Sequence, residues 1–421
     1  MLLFFVENFF AIWGLLMTLK RVNTVVVGAG QAGLAMSAHL RDHQIDHVVL
    51  ERDSIAERWR NARWDSLVMN GPAWHDRFPT RHFDSDPDGF PNKDEVTRYF
   101  EDFAKQIEAP INCAVEVTGT VALPQGGYQV ETSQGHFHAD HVVAATGPFQ
   151  IPVIPPIVPD GVVNQLHSFD YHNPGQLPDG AVMVVGAGSS GAQIADELLR
   201  SGRKVFLSIG PHDRPPRSYR GKDFVWWLGA LEKWQMKTPP AGREHVTIAV
   251  SGAYGGNTVD FRKFADRGMV LLGMTGAYDN GLISIANDLA KNIADGDANY
   301  LGLLAEADSY VDLHSLDFPA EEDAKIISAD PDCVKSPIRQ IHLGEQGITT
   351  IIWATGYAQD FSWLNVEAFD ANGKPAHYRG VAKADGIYFL GLPWLSMRGS
   401  SFIWGVWEDA KYLADQISAR L

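Results

Sequence analysis

Cysteine is scarce in this chain, which has two in 421 residues, Cys113 and Cys333, and neither lies in a C-x-x-C pair. This shortage excludes disulfide reductases that need a redox-active cysteine pair, and it indicates a reducing compartment. The sequence also lacks the Gly-x-Ser-x-Gly elbow of serine hydrolases. Its nearest approach to a zinc motif, His136, His138 and His141, is more typical of a solvated strand face than of a metal site.

The chain also has few positively charged residues. It contains 35 lysines and arginines but 51 aspartates and glutamates, which gives a net charge of −16. Such a balance argues against nucleic acid and anionic membrane surfaces as partners. The length allows two domains with separate cores, and 45 % apolar residues is ordinary for a globular protein.

Residues 1–21 form an apolar N-terminal extension without the marks of a secretory signal, since no positive charge precedes the run and no small-residue cleavage site follows it. Three interpretations stay open. The favoured one is an over-extended start, with Met17 as the natural first residue. The others are a barely long enough membrane anchor, whose trailing Lys20-Arg21 would keep the body cytoplasmic, and a surface-lying helix. We expect a cytoplasmic protein that contacts membranes only through residues 1–16.

The chain does have the pattern Gly-x-Gly-x-x-Gly twice, each time between an apolar β-branched run and a helical run of small residues. The glycines are Gly28, Gly30, Gly33, Gly186, Gly188 and Gly191. In each copy the first glycine permits a tight turn and the second lets a pyrophosphate approach the backbone. The third lets the helix pack against the strand, with the phosphates at the helix N-terminus. Both copies therefore predict dinucleotide sites.

The two copies differ at the residue that meets the ribose. Glu51 ends the second strand of the first unit and can accept hydrogen bonds from a ribose diol, whereas its carboxylate would repel a 2′-phosphate. Ser208 stands at the equivalent place in the second unit. We therefore interpret the first site as an FAD site and the second as an NADPH site.

The order of strand and helix patterns predicts an α/β fold with two Rossmann-like dinucleotide-binding domains, the NADPH domain being inserted into the FAD domain. The predicted FAD-binding domain comprises residues 22–150 and 345–421, and the NADPH-binding domain residues 160–340. The proline-rich segment 151–159 is expected to be a stiff, extended crossover between them.

Four further elements are predicted from periodicity. They are a helix over Lys93 to Glu108, a strand over Met269 to Leu272, a last strand over Gly386 to Gly391 and a closing helix over Val406 to Leu421.

Together, the two fingerprints, the Ala-Thr-Gly triplets at 145–147 and 354–356 and the aromatic stretch Trp59 to Phe90 resemble the class B flavoprotein monooxygenases. This family includes flavin-containing monooxygenases and Baeyer–Villiger enzymes, and the resemblance runs from Val22 to the C-terminus. It implies that NADPH reduces FAD and that a flavin C4a-hydroperoxide transfers one oxygen atom to a sulfide, amine or ketone. Two rival hypotheses are an NADPH-dependent flavin oxidoreductase or oxidase without oxygen transfer and a flavin-binding regulatory protein without turnover.

The resemblance carries two catalytic candidates onto this chain. Asn70 follows Trp64 as the family's flavin-site asparagine follows a tryptophan, and a neutral amide can stabilise the flavin adduct without donating the proton that releases hydrogen peroxide. Taken alone, Asn70-Gly71-Pro72 is also a favourable turn sequence. His167 matches the second half of the family's histidine motif, whose first half is missing here, and is expected to steady the linker between the domains.

An arginine-rich loop follows Ser208, in a chain that is otherwise acidic. Guanidinium groups bind phosphate with bidentate geometry, so Arg214 or Arg217 is expected to bind the NADPH 2′-phosphate. A solvated basic loop is the alternative interpretation.

The remaining cofactor-binding candidates are Gln31, Arg52, Trp59, Thr146, Gly147, Ser189, Ser190, Thr355 and Gly356. No metal site is predicted. The expected partners are a small organic substrate and O2, and a homodimer is left open.

Overall fold

The computed structural model describes residues 20–237, 239 and 247–421. Residues 1–19 of the apolar extension, which include Met17, lie outside the described residues. The three interpretations of this segment therefore stay predictions. Among the helices that are described, none is both long and apolar enough to cross a membrane.

Strands and helices intermingle along the chain, as expected of an α/β protein. The strands are β1 Lys20–Val27, β2 His47–Leu50, β3 Ile111–Asn112, β4 Val117–Ala122, β5 Tyr128–Thr132, β6 Gly135–Ala144, β7 Ile151–Pro152, β8 Asn164–His167, β9 Ala181–Val185, β10 Val205–Ser208, β11 Ser218–Tyr219, β12 Lys222–Asp223, β13 Val270–Leu272, β14 Thr275–Asp279, β15 Leu282–Ile285, β16 Gln340–His342, β17 Ile348–Trp353, β18 Tyr357–Ala358, β19 His377–Tyr378, β20 Val381–Ala382 and β21 Ile387–Phe389. The α-helices are α1 Gln31–Asp42, α2 Glu57–Arg60, α3 Lys93–Gln106, α4 Ser189–Arg200, α5 Phe224–Ala230, α6 Phe261–Asp266, α7 Leu289–Leu313, α8 Asp332–Lys335 and α9 Ile403–Ser418. Short 3-10 turns cover Pro174–Gln176, Lys233–Gln235, Ala253–Gly255, Glu322–Lys325 and Arg398–Ser401.

The first sheet has the order β19-β20-β21-β6-β1-β2-β3, and β5 and β4 continue from the first half of β6. Its centre is parallel, with β1 between β2 and β6. Helices α1 and α9 pack against each other beside this sheet, and the side chains of 24–27 and 47–50 are buried. Strands covered on both faces form continuous apolar runs, which is why both segments could be recognised from the sequence.

The second sheet is parallel, with the order β13-β10-β9-β17-β8, and the chain forms it between β6 and β19. The predicted α/β architecture with one unit inserted into the other is therefore confirmed. Strand β17 belongs to this second sheet, so the chain returns to the first sheet only after Trp353, later than the predicted residue 345. The chain crosses between the two sheets twice, at residues 151–159 and after Trp353. These two crossovers pair with each other, since β7 and β18 are antiparallel neighbours.

The elements predicted from periodicity are present. Helix α3 begins after a capping box in which the Asn92 side chain accepts from the backbone of Glu95 and the Glu95 carboxylate accepts from the backbone of Asn92. Strands β13 and β21 lie where a third and a last strand were expected, and the closing helix α9 begins three residues before the predicted Val406.

Buried histidines make the stability of this fold depend on pH. Burial lowers the pKa of His47, which lies between the Ser37 hydroxyl and the Ile45 carbonyl, and of His167. The same cause acts on the pKa of His39, His141, His212 and His377.

We expect the melting temperature to fall by several degrees between pH 7.5 and pH 5.5. Below about pH 6.5 the unfolded chain binds protons that the folded protein accepts only at lower pH, so the free energy of unfolding decreases as the pH drops. Scanning fluorimetry across this range measures the slope. His47→Gln should reduce it, while His314→Gln, on the surface, should leave it unchanged. A melting temperature that stays constant or rises on acidification contradicts the prediction.

Candidate active site

The first glycine turn lies between β1 and α1. Gly28 has a φ of +107°, and a Cβ there would lie 2.7 Å from the Ala145 carbonyl oxygen. A Cβ on Gly33 would lie 1.8 Å from the Gly28 carbonyl oxygen, so the fold itself requires both glycines. Gly30 differs, because its Cβ would meet no described atom within 4 Å. The open space at Gly30 fits a group from outside the chain that approaches the backbone closely.

The second turn, between β9 and α4, repeats the close contacts of the first and third glycines, whereas a Cβ on its middle glycine, Gly188, would lie 3.2 Å from Thr247 Cγ2. Gly186 has a φ of +103° and would place a Cβ 2.5 Å from the Ala354 carbonyl oxygen, and a Cβ on Gly191 would lie 1.8 Å from the Gly186 carbonyl oxygen. Neither α1 nor α4 has a side-chain cap at its N-terminus. Free N–H groups at a helix N-terminus attract anions, so both turns have the features of a phosphate site.

Glu51 holds a defined position beside the first turn. One carboxylate oxygen accepts from the Ala29 N–H at 2.8 Å and the other from the Asp53 N–H at 3.0 Å. Each oxygen keeps a further lone pair for a ribose hydroxyl. The neighbouring Gln31 donates to the Ser401 carbonyl at 2.7 Å, whereas the exposed Arg52 pairs with Asp53 at 3.3 Å.

The second turn has a neutral residue where the first has Glu51. Ser208 is buried, donates to the Gly273 carbonyl at 2.9 Å and lies 2.9 Å from the Thr275 hydroxyl, which donates to it. Ser189 donates to the Ile248 carbonyl at 2.9 Å, and the half-buried Ser190 follows it in the first turn of α4.

The structure does not leave the predicted arginines free for a 2′-phosphate. Arg214 is 4 % exposed and forms an ion pair with Asp297 at 2.7 Å. Arg217 is 5 % exposed and donates to both carboxylate oxygens of Asp223 at 2.5 Å. Burial lowers the pKa of Arg217 and the charge of Asp223 opposes this shift. Asp297, brought close by the fold, and Asp223, six residues after Arg217, therefore neutralise these two arginines.

Arg217 instead supports Asn70, because its guanidinium also donates to the Asn70 carbonyl at 2.5 Å. The side-chain amide of Asn70 is held from the other unit, where Gln193 of α4 donates to Asn70 Oδ1 at 2.8 Å and to the Val250 carbonyl at 3.2 Å. A carbonyl can only accept, so Val250 fixes which end of the Gln193 amide carries the nitrogen. Asn70 Oδ1 is thereby engaged, and its NH2 group donates to no protein acceptor in the part of the chain that the structure describes.

Gln193 is the residue of this site that sequence reasoning missed. It lies two positions after the last glycine of the second fingerprint, but only the packed structure brings it to Asn70. Its own Oε1 is buried and has no hydrogen-bond partner among the described residues.

His167 is the last residue of strand β8 in the second sheet and contacts the second crossover at Gly356. The ring is fully buried, Nδ1 accepts from the Phe169 N–H at 3.1 Å, and Nε2 lies 3.0 Å from the Gly356 carbonyl, to which it donates. Burial lowers its pKa, in keeping with this neutral form. Both nitrogens are occupied by backbone groups, so His167 connects the end of β8 to the second crossover at Gly356. These contacts do not support the catalytic role predicted for His167, and its expected role in steadying the linker stays a prediction.

Hydrogen bonds or packing also hold the other candidates of this region in place. Thr355 donates to the Val153 carbonyl at 2.5 Å, and Gln150 donates to the Thr146 hydroxyl at 3.0 Å and to the Gly147 carbonyl at 2.7 Å. Trp59 is partly buried and packs against the cores of both units.

Known proteins are similar to this chain in sequence and in fold. Residues 25–231 match a family profile described as pyridine nucleotide-disulphide oxidoreductase. A CzcO-like oxidoreductase of Geobacillus kaustophilus is 34% identical over 401 residues, which are 94% of this chain and 98% of that protein. This chain belongs to the CzcO-like oxidoreductases.

Two further likenesses connect this CzcO-like chain to monooxygenases. The indole-3-pyruvate monooxygenase YUCCA1 of Oryza sativa is 26% identical over 391 residues, covering 90% of this chain and 88% of that protein. A flavin-containing monooxygenase structure from Stenotrophomonas maltophilia superposes with a TM-score of 0.65 at 18% identity, covering 96% of this chain and 99% of that one. The predicted resemblance to class B flavoprotein monooxygenases is confirmed, and the chain is an enzyme of the oxidoreductase class.

We expect Arg217→Gln to lower the free energy of unfolding by about 3–5 kcal/mol, because it leaves the Asp223 carboxylate buried without its partner. Urea unfolding measures the loss. Arg21→Gln is the matched control, since this arginine side chain is 77% exposed. A variant as stable as the wild type, but with weaker NADPH binding, would restore the phosphate role predicted from the sequence.

Proposed function

We propose that this CzcO-like protein is an FAD- and NADPH-dependent monooxygenase that transfers one oxygen atom from O2 to a small organic substrate. The observation that carries the proposal is the position of Asn70. It lies where the two dinucleotide-binding units meet, with its carbonyl and its Oδ1 engaged and its NH2 group available. The names of the YUCCA1 relative and of the S. maltophilia neighbour support the same reaction class.

The residues present fit the two cofactors. The space at Gly30 and the uncapped N-terminus of α1 would take the FAD pyrophosphate, with Glu51 on the ribose. Gly188 and the N-terminus of α4 would take the NADPH pyrophosphate. Ser208 places no carboxylate near the adenine ribose, which favours NADPH over NADH.

Bound FAD, once reduced by NADPH, supplies the oxygen-transfer chemistry. The chain has the tasks of holding the two cofactors at the boundary between its units and of keeping water away from it. The NH2 group of Asn70 can donate a hydrogen bond there without releasing a proton, because an amide does not titrate near neutral pH. Gln193 holds the Oδ1 end of that amide, and Arg217 holds the Asn70 backbone carbonyl.

We expect the NADPH-reduced protein, mixed rapidly with oxygenated buffer, to show a delay of seconds or more before the oxidised flavin spectrum returns. Stopped-flow absorbance records the delay, and a sulfide, amine or ketone that is a substrate should shorten it. Immediate return of the oxidised spectrum, with one hydrogen peroxide for each NADPH whatever compound is added, would indicate an oxidoreductase or oxidase without oxygen transfer.

Asn70→Ala and Gln193→Leu should both shorten this delay at least tenfold and raise the hydrogen peroxide yield. The first removes the Asn70 amide, and the second removes the hydrogen bond that orients it. Anaerobic flavin reduction by NADPH should change much less, because neither residue belongs to a glycine turn. Gln176→Leu, at the exposed Gln176, is the control. If Gln193→Leu leaves the delay unchanged while Asn70→Ala abolishes it, Gln193 does not position Asn70.

Gly30→Ala should fold but retain little FAD, whereas Gly33→Ala should fail to fold. The added methyl at Gly30 would occupy the ligand's space, and that at Gly33 would collide with the Gly28 carbonyl. Flavin absorbance per protein and circular dichroism separate the two outcomes. Gly188→Ala should keep FAD and raise the KM for NADPH. Full FAD retention in Gly30→Ala would remove the first turn from the flavin site.

A further inference from the structure

A cavity of about 200 Å³ lies beside the second glycine turn, between the loop after β10, helices α5 and α7, and the 3-10 turn that begins at Arg398. One water needs about 10–15 Å³ on this measure, so the cavity has room for a molecule of roughly ten non-hydrogen atoms. Its apolar lining includes Leu228, Ile248 and Leu303, which belong to one buried cluster.

Two opposite charges face this cavity without a partner. The Arg398 guanidinium forms no hydrogen bond or ion pair within the part of the chain that the structure describes, and neither does the Asp213 carboxylate. Arg398 is half-buried, and burial lowers its pKa while the charge of Asp213 raises it. The two groups are thus near enough to interact electrostatically but too far apart to pair. Every other charge in the lining is compensated, since Lys233 and Glu306 form an ion pair at 2.6 Å.

A half-buried charge that lacks a partner is costly, so its occurrence needs a reason. Arg214 and Arg217, a few residues from Asp213, each have a carboxylate partner, which shows that this region pairs its guanidinium groups when it can. An unpaired cation and an unpaired anion that line one cavity are complementary to a ligand that carries both charges. The apolar wall suits the remainder of such a ligand.

We propose that this cavity binds an α-amino acid with an apolar side chain, with Arg398 on its carboxylate and Asp213 on its ammonium group. Arg398 can hold a carboxylate with two parallel hydrogen bonds.

The cavity adjoins the candidate active site. Ile248, in its wall, accepts from Ser189 of the second turn, and Val250, two residues on, holds Gln193 against Asn70. On the other side, the Arg398–Ser401 turn reaches the first unit, because the Ser401 carbonyl accepts from Gln31. As an assignment of substrate class, the inference rests on the proposed function. The binding itself does not.

The test is isothermal titration of the oxidised, FAD-loaded protein without NADPH, so that no turnover is needed. L-methionine is the probe, because it has the apolar side chain and the soft sulfur that the proposed reaction needs. Its methyl ester lacks the carboxylate charge, and 4-methylthio-2-oxobutanoate lacks the ammonium group. We expect L-methionine to bind and each analogue to bind roughly tenfold or more weakly.

The variants assign each charge to its residue. Arg398→Gln should remove the preference for L-methionine over the methyl ester, and Asp213→Asn should remove the preference over the oxo acid. Arg21→Gln should preserve both preferences. The comparison within each variant remains valid even where the variant is less stable, provided that it retains FAD.

Three results would overturn the inference. They are no binding heat with any probe, equal affinity for L-methionine and both analogues, or an Arg398→Gln effect confined to the KM for NADPH, which would make Arg398 a dinucleotide ligand. A stopped-flow delay without amino acid binding would contradict this inference but support the proposed function. Amino acid binding without a delay would support the binding site but contradict the proposed function.

Discussion

The close contact between strand and helix at the two glycine turns is the constraint on which the rest of the molecule depends. At Gly33 and Gly191 the helix backbone lies so near the preceding carbonyl that a methyl group would be 1.8 Å from an oxygen. Because of this contact, the N-termini of α1 and α4 lie at the carboxyl ends of the preceding strands β1 and β9. Gly30 and Gly188 are the N-cap residues of these helices, where the partial positive charge of the helix favours an anion.

The second structural requirement is that two such units meet in one defined way. The paired strands β7 and β18 and the hydrogen bond from the Thr355 hydroxyl to the Val153 carbonyl join the two crossovers, and the buried His167 of β8 donates to Gly356 in the second. The Gln193–Asn70 contact then crosses the boundary between them. Because Gln193 follows the second glycine turn and Asn70 belongs to the first unit, any change in the angle between the units should also change the direction of the Asn70 NH2 group.

The arginine-rich loop shows how local charge misleads. Along the sequence, the arginines of this loop outnumber its two acids, Asp213 and Asp223, so the loop looks basic. In the folded chain Arg214 meets Asp297, which lies on α7 far along the sequence, and Arg217 folds onto Asp223 and the Asn70 carbonyl. Burial makes such pairing necessary, because an unpaired guanidinium in the interior costs several kcal/mol. Arg398 is notable for the same reason, because its guanidinium has no hydrogen-bond or ion-pair partner among the described residues.

The sequence by itself determined the fold class, both glycine turns, the insertion of one unit into the other and the contrast between Glu51 and Ser208. The glycine turns and the Glu51–Ser208 contrast depend on residues that are near each other in the chain, and the fold class and the insertion follow from the order of the strand and helix patterns. Only the tertiary structure decided which sheet Ile348–Trp353 joins, where the arginines point, that His167 is enclosed by backbone groups, and that Gln193 meets Asn70. Each of these depends on partners from distant segments, and the pairing of buried polar groups across such distances is a property of the packed chain that no local pattern contains.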